Sequence, residues 1–257
     1  MAEFKNGIEN MSSEQCSARK ENPSTAYSLS LIIPAYNEEK SLEEAVILTI
    51  QTLNHLNMLF EIIIVNDGSH DHTQEIIQKL AQRFTNIAYG QHAQNQGIGA
   101  AFRTGVKKAT MDYVLLLPVD NPFLPEDLTP YLDCLGKFDI IVGCRQERVG
   151  YSDGLKFLSY VYNRVLIPRL FALPVTDVNW IHAYRRKIFA EGNITIEYSG
   201  PFFFAEVLTK AHRKGLTMTE VPVHMKRRVH GRPTISRLPV ILKIFRDMLT
   251  FFIKINF

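Results

Sequence analysis

The sequence has few cysteines, a single tryptophan and no long apolar run, and each shortage excludes something. Cys16, Cys134 and Cys144 are odd in number and show no CxxC spacing. That supports neither a disulfide framework nor a zinc site and favours a reducing compartment. No stretch of about 18 uncharged apolar residues occurs, so no membrane span is expected. The first 28 residues are polar and mixed in charge, without the apolar core of a secretory signal, so residues 1–27 read as a disordered leader. What is present is ordinary for a globular protein: 257 residues, 46% hydrophobic and 21% charged, enough for one large domain or two small ones. The net charge is only +3 but unevenly spread. Residues 207–257 hold eleven Lys/Arg against Glu220 and Asp247, a local +9 that leaves −6 on the remainder. A basic end on a slightly acidic body points to an anionic partner: phosphate, nucleic acid or a membrane surface.

From Ser28 onward short apolar runs alternate with helix-period segments. Leu31-Ile32-Ile33 closed by Pro34 reads as a buried strand, and Ser41-Leu-Glu-Glu44 resembles a capping box opening a helix to about Asn54. Phe60–Val65 is a second strand, ended by the turn residues Asn66-Asp-Gly-Ser69. Asp71-His-Thr-Gln74 caps a helix to about Phe84. A short strand follows at Ile87–Tyr89, then glycine-bearing Gln96–Gly99 and a helix to about Lys108. Tyr113–Leu117, Asp139–Val142 and Glu220–Val223 are further strands. Strands separated by helices of this length predict an α/β fold, a mostly parallel sheet covered on both faces. Ligands of such sheets bind beyond the carboxyl ends of the strands. There the topology gathers Pro34-Ala-Tyr-Asn-Glu38, Asp67, Asp120 and Arg145 on one rim.

Ile33-Pro-Ala-Tyr-Asn-Glu-Glu39, Val65-Asn-Asp-Gly-Ser69 with Asp71 and Thr73, and Asn95-Gln-Gly-Ile-Gly-Ala-Ala-Phe-Arg-Thr-Gly105 follow one another in an order that is specific where each alone is not. In combination they resemble family 2 glycosyltransferases of the GT-A, Rossmann-like fold, and within them the polyprenyl-phosphate sugar transferases of the dolichol-phosphate mannosyltransferase type. The resemblance covers Ser28 to Thr234. It implies that Asp67 accepts hydrogen bonds from the base or ribose of a nucleoside diphosphate sugar, although a turn aspartate bonding its own backbone reads the same way in sequence. It also sets Pro34, Ala35, Tyr36 and Glu38 around the nucleoside; Asn66 replaces a first acid that the family often carries. The Gly97-Ile-Gly99 turn and Arg103 would lie near the diphosphate, as suits amides at a helix N-terminus.

The sequence departs from the family at Pro118-Val119-Asp120, where Asp-x-Asp usually holds a divalent cation. Only the second carboxylate, Asp120, remains, and Pro122 stands where some relatives have a further ligand. A Mg²⁺ or Mn²⁺ ion would then need one carboxylate plus diphosphate oxygens; otherwise arginines replace the cation, or catalysis is lost. Arg145 matches an arginine of the family. Asp177 and Arg185 fall in a segment where Ile181-His182 replaces Gly-Phe, and Glu206 opens a helix. Arg228, Gly231 and Arg232 match a segment that closes over phosphates, with Pro233-Thr234 in place of Ser-Lys. Arginine suits bidentate phosphate binding. None of the eight histidines pairs in sequence spacing, and His70 and His72 read as solvated loop residues.

Residues 235–257 form an amphipathic helix in which Lys243, Arg246, Asp247, Thr250 and Lys254 make a narrow polar stripe on a broad apolar face. Core packing, a peripheral membrane contact through 238–257, and dimerisation all fit that pattern. The resemblance implies an inverting transferase on the cytoplasmic face of a membrane, domain 28–234, moving a sugar from a nucleoside diphosphate to a polyprenyl phosphate, with Asp120, Arg145, Arg228 and Arg232 as its catalytic groups and no nucleic-acid partner. A transferase using a saccharide or other soluble acceptor, and a non-catalytic nucleotide-sugar binder, are the alternatives.

Overall fold

A computed structural model describes residues 26–119, 125–224 and 238–257. The predicted leader up to residue 25, Asp120 and Pro122, and Arg228, Gly231, Arg232, Pro233 and Thr234 lie outside the described residues. The chain runs β1 (Leu29–Ala35), α1 (Leu42–His55), β2 (Phe60–Asn66), α2 (Thr73–Arg83), β3 (Ile87–Gln91), α3 (Ile98–Lys108), β4 (Tyr113–Leu116), α4 (Pro125–Leu132), β5 (Ile140–Arg145) and α5 (Asp153–Tyr160). A π-helical segment (Val161–Leu166), α6 (Ile167–Phe171), β6 (His182–Arg185), a 3₁₀ segment (Arg186–Gly192), α7 (Phe203–Arg213), β7 (Met218–Val223) and α8 (Leu238–Asn256) follow.

The strands form one sheet in the order β3-β2-β1-β4-β6-β5-β7. All neighbours pair in parallel except β6, which is antiparallel to both β4 and β5. The central parallel strands β1, β2 and β4 are mostly apolar because successive side chains enter two different cores. Leu31, Ile33, Ile62, Ile64 and Leu115 share one core with residues of α1, α2 and α4. Ile32, Ile63, Val65, Val114 and Leu116 share the other with residues of α3, α6, α7 and α8. Each such side chain, fully removed from water, contributes about 1.5–3 kcal/mol.

Three local expectations change. β1 continues through Pro34 to Ala35, in register with Val65 and Asn66. The capping box at Ser41 does not form: the Ser41 hydroxyl donates to Glu38 Oε2 at 2.7 Å and caps no amide. β6 was not foreseen, and its reversed direction sends Arg185 to the far edge of the sheet. There the Arg185 guanidinium donates to the Gly136 carbonyl (3.0 Å) and the Tyr113 hydroxyl (3.2 Å), away from the rim the sequence suggested.

α8 divides into three faces. Ile244, Asp247 and Phe251 are buried, and Phe251 packs on Phe171, Phe202 and Tyr198. Lys243, Arg246, Thr250 and Lys254 line a polar face. Leu242, Phe245, Leu249 and Ile253, spaced three, seven and eleven residues from the first, form an exposed apolar stripe. Core packing therefore accounts for only part of the apolar surface. Among the described residues no helix is long and apolar enough to cross a membrane.

Candidate functional site

The rim at the carboxyl ends of β1 and β2 is built from two turns stitched together. Asn37, held in the left-handed region at φ 55°, donates its amide to Ser69 Oγ (3.0 Å) and accepts the His70 amide on its side-chain oxygen (2.9 Å). The Glu38 amide donates to Thr73 Oγ1 (2.8 Å) and the Glu39 amide to Asp71 Oδ2 (3.2 Å). His72, expected to be solvated, is exposed but bonds Glu39 through Nδ1 at 3.0 Å. The Glu39 carboxylate raises the His72 imidazole above its ordinary value, while His72 lowers that carboxyl. Tyr36 projects into solvent beside this stitch, Pro34 and Glu38 are half-buried, and Ala35 is fully buried. Ala35 therefore presents no side-chain surface at the rim.

Asp67 follows β2 and is almost wholly enclosed. Its Oδ1 accepts from the Gln96 amide at 2.9 Å and from His92 Nδ1 at 2.6 Å, and its Oδ2 accepts from the Gly97 amide at 2.8 Å. The carboxylate thus organises the turn that opens α3. Gly97 has φ 97°, and a Cβ there would lie 2.6 Å from the Ser199 carbonyl oxygen. A Cβ on Gly99 would lie 2.3 Å from the Tyr198 carbonyl oxygen, whereas the Gly99 amide donates to Ser199 at 2.8 Å. Both glycines are required by this close approach of backbone to backbone. Arg103 turns to the same segment and donates to the Ile196 carbonyl (2.8 Å). Glu206, fully buried, accepts the amides of Glu197 and Tyr198 and pairs with Lys210 at 2.6 Å. Arg103 and Glu206 thus both support the 195–200 segment on which the glycine turn rests.

The second half of the rim centres on Arg145 at the end of β5. Its guanidinium is 3% exposed and grips Asp177 with two bonds, Nε to Oδ2 at 2.8 Å and Nη2 to Oδ1 at 2.7 Å. It also stacks 4.8 Å from the Trp180 ring centroid. Burial opposes both charges, but their contact prevails: Asp177 is lowered below its ordinary value and Arg145 is raised. Arg148 approaches the same carboxylate at 3.5 Å and donates to Ser159 Oγ at 2.8 Å. Burial and the neighbouring Arg145 and Arg164 lower its proton affinity, with Asp177 opposing. Arg164, exposed on the π-helical segment, reaches Cys144 Sγ at 3.9 Å. Two guanidinium groups, Arg145 and Arg148, therefore share one buried carboxylate, Asp177, and a third, Arg164, lies beside them against Cys144. Of the other acids nearby, Glu220 is bonded to the hydroxyl and amide of Thr176 and the amide of Asp177, and Glu147, between Arg145 and Arg148 in sequence, is exposed.

Topology therefore brings Asp67 and Arg145 to one rim as expected, with Asp177 beside Arg145. The reading of the histidines needs correction: His92 is a buried partner of Asp67, and His182 is fully buried against Tyr184 and Phe204, its imidazole pushed down to about 4 by burial. Arg148, Ser159 and Arg164 were not anticipated. The sequence signal was present only as a second and third arginine following Arg145. Pro118 is half-buried past the end of β4, and among the described residues no group of three or more His, Cys, Asp or Glu could hold a metal.

A model of glycosyl transferase family 2 matches residues 30–200. An undecaprenyl-phosphate 4-deoxy-4-formamido-L-arabinose transferase of Pseudomonas savastanoi is 31% identical over 86% of this chain and 64% of its own length. A dolichyl-phosphate beta-glucosyltransferase of Trichomonas vaginalis is 30% identical over 79% of this chain and 66% of its own length. The chain thus spans just under two thirds of these relatives. Among solved structures, glucosyl-3-phosphoglycerate synthase of Mycobacterium tuberculosis with Mn²⁺, UDP and glucosyl-3-phosphoglycerate superposes with a TM-score of 0.65, at 19% identity over 88% of this chain and 80% of that one. TarS of S. aureus with UDP-GlcNAc gives a TM-score of 0.58 at 19% identity, over 86% and 66%. These likenesses establish the GT-A-like architecture, and the family match, spanning most of the chain, establishes kinship: the protein belongs to glycosyl transferase family 2.

Proposed function

We propose that the protein is an inverting glycosyltransferase that moves a sugar from a nucleoside diphosphate sugar to a polyprenyl phosphate. The observation that carries this reading is the arginine cluster at the β5 rim and what it adjoins. Arg148 is bonded to Ser159 of α5, whose Phe157 and Tyr160 are exposed; Arg164 follows on the π-helical segment, and Tyr162 of that segment packs against exposed Phe245 of α8. A cationic cluster opening onto an apolar surface matches a phosphate with a hydrocarbon tail. The two relatives named for polyprenyl-phosphate acceptors support the same assignment.

In this reading the nucleoside lies against Pro34, Ala35, Tyr36 and Glu38, and Asp67 presents the Gly97 turn to the diphosphate. Arg103 acts through the 195–200 segment, as does Glu206. An oxygen of the acceptor phosphate attacks the anomeric carbon in line. The bond from that carbon to the diphosphate breaks, and the nucleoside diphosphate departs with the electron pair. The acceptor is already an anion, so no strong base is needed. The chain's task is to neutralise charge on both phosphate groups. Arg148 and Arg164 face the acceptor, while Arg145 and Asp177 fix their placement; Arg228 and Arg232 close over the diphosphate. Asp120 would hold a divalent cation together with the diphosphate oxygens, and the cation when bound would offset leaving-group charge. Solved neighbours of this fold that carry Mn²⁺ or Mg²⁺ with UDP support a cation here.

The apolar stripe of α8, flanked by Lys243, Arg246 and Lys254, lies on an anionic membrane surface at its cytoplasmic face, beside the domain formed by residues 28–234. The test is transfer itself. Purified protein is incubated with a panel of labelled nucleotide sugars, Mn²⁺ and a polyprenyl phosphate in detergent. Label in the organic phase, in the inverted anomeric configuration, is expected with one donor; label that stays with soluble acceptors, or no transfer from any donor, would overturn the reading.

A further inference from the structure

The turn that opens α3 is held by one side chain, Asp67, which accepts the amides of Gln96 and Gly97. A carboxylate gripping two amides still needs to be held itself. His92 does this. It directly follows β3, and the sheet anchors it, since its amide donates to the Asn66 carbonyl at 2.9 Å. Its Nδ1 lies 2.6 Å from Asp67 Oδ1, and both side chains are more than nine-tenths buried. Its Nε2 lies 2.9 Å from Thr104 Oγ1, a residue of α3 itself. With Nδ1–H donating to the carboxylate, Nε2 accepts the Thr104 hydroxyl proton, so one ring satisfies both partners in a single tautomer. α3 is therefore gripped twice from the sheet: through Asp67 at the Gln96 and Gly97 amides that lead into it, and in its second turn through Thr104.

We propose that His92 is a positioning residue for donor binding: it fixes the Asp67 carboxylate and the body of α3 so that the Gly97 turn keeps its place beneath the diphosphate. This rests on the assignment of that turn to the nucleotide sugar made above. His92 touches no substrate in this scheme. Loss of the imidazole leaves a buried carboxylate short of one donor, and such a carboxylate relaxes by letting its amides go. The consequence falls on donor affinity and leaves the acceptor side, on the far side of β1 and β4, unchanged.

The experiment compares four forms of the full chain. His92→Leu removes both bonds. His92→Asn keeps a donor near the Nδ1 position and loses the Thr104 contact, Thr104→Val removes only that contact, and wild type is the reference. UDP and GDP are titrated by calorimetry with Mn²⁺, and the melting temperature of each form is recorded. The expected result is a nucleotide Kd raised about tenfold in His92→Leu, the scale of one bond to a charged group. His92→Asn should recover most of the loss, and in turnover the donor KM should move while the acceptor KM does not. Equal Kd in wild type and folded His92→Leu would overturn the proposal. So would equal losses in the Leu and Asn variants that track their melting temperatures, which mark a merely structural role. If wild type binds neither nucleotide, it is the donor-site assignment that fails. Should His92→Leu not fold, His92→Gln takes its place, since a glutamine amide replaces Nε2 beside Thr104 and offers no donor at the Nδ1 position: a nucleotide Kd about tenfold above that of Thr104→Val is expected, and equal Kd in these two variants would overturn the Asp67 route.

Discussion

Replacing Asp177 with asparagine would remove the only carboxylate among the described residues that grips the Arg145 guanidinium, while leaving the shape of the side chain nearly unchanged. Arg145 is 3% exposed and Asp177 wholly buried, so the freed guanidinium cannot recover its hydration without opening the β5 rim. Arg148, 3.5 Å from the same carboxylate, loses its counter-charge too. Breaking one side of a buried ion pair costs about 3–5 kcal/mol. For a domain of this size that corresponds to a fall in melting temperature of roughly 6–20 °C. Thermal unfolding of Asp177→Asn at neutral pH measures it. Arg145→Met in the Asp177→Asn background should recover part of the loss, because it removes the stranded charge. A melting temperature within about one degree of wild type for Asp177→Asn would refute the reasoning and show that water or a neighbouring acid compensates Arg145.

Three other outcomes follow from the same structure. Burial depresses His182 from 6.5 to about 4, so its neutral form is favoured in the fold; stability is intact above pH 6.5 and should fall by about 3 kcal/mol as pH drops from there to 4. Denaturant titrations of His182→Phe should show that acid limb flattened, and an unchanged limb would deny His182 that role. Gly99→Ala sets a methyl 2.3 Å from the Tyr198 carbonyl oxygen; a loss of about 1–3 kcal/mol with weakened nucleotide binding is expected in unfolding and calorimetry. Leu249→Asp, on the exposed stripe of α8, should leave the melting temperature unchanged and weaken partition onto anionic vesicles by about 10- to 100-fold, the scale of one buried leucine. Equal sedimentation of variant and wild type with vesicles would show that the stripe serves another contact.

The contrast between what could be read from sequence and what could not is physical. β1, β2, β4 and β5 were legible because both faces of each are largely buried, which writes a run of consecutive apolar residues such as Leu31–Ile33 and Ile62–Val65. β6 was not: it is four residues long, begins with His182 and ends with Arg185, and only the two strands beside it make it a strand. Asp67 was found through its turn, yet its partners lie 25 to 30 residues away, so its grip on the Gly97 turn had no local signature. Arg145 was expected as an open cation. The carboxylate that encloses it is 32 residues downstream, and the cations left nearer solvent, Arg148 and Arg164, match no motif. On α8 the pattern gave the polar stripe at Lys243, Arg246, Thr250 and Lys254 but wrongly included Asp247, which is buried on the core face, and periodicity alone could not divide the apolar remainder between the core face at Ile244 and Phe251 and the exposed stripe at Leu249.

The identity of the acceptor is tested most directly by competing two phosphates for one donor. The preferred nucleotide sugar is offered together with a long polyprenyl phosphate and a short, water-soluble alkyl phosphate in the same detergent solution. If the β5 arginines hold the phosphate and the surface of α5 and α8 holds the tail, burial of only four methylenes is worth about 3 kcal/mol, and the long acceptor should lead in kcat/KM by roughly 100-fold or more. Equal kcat/KM for the two, or faster transfer to the soluble phosphate, would contradict a lipid acceptor.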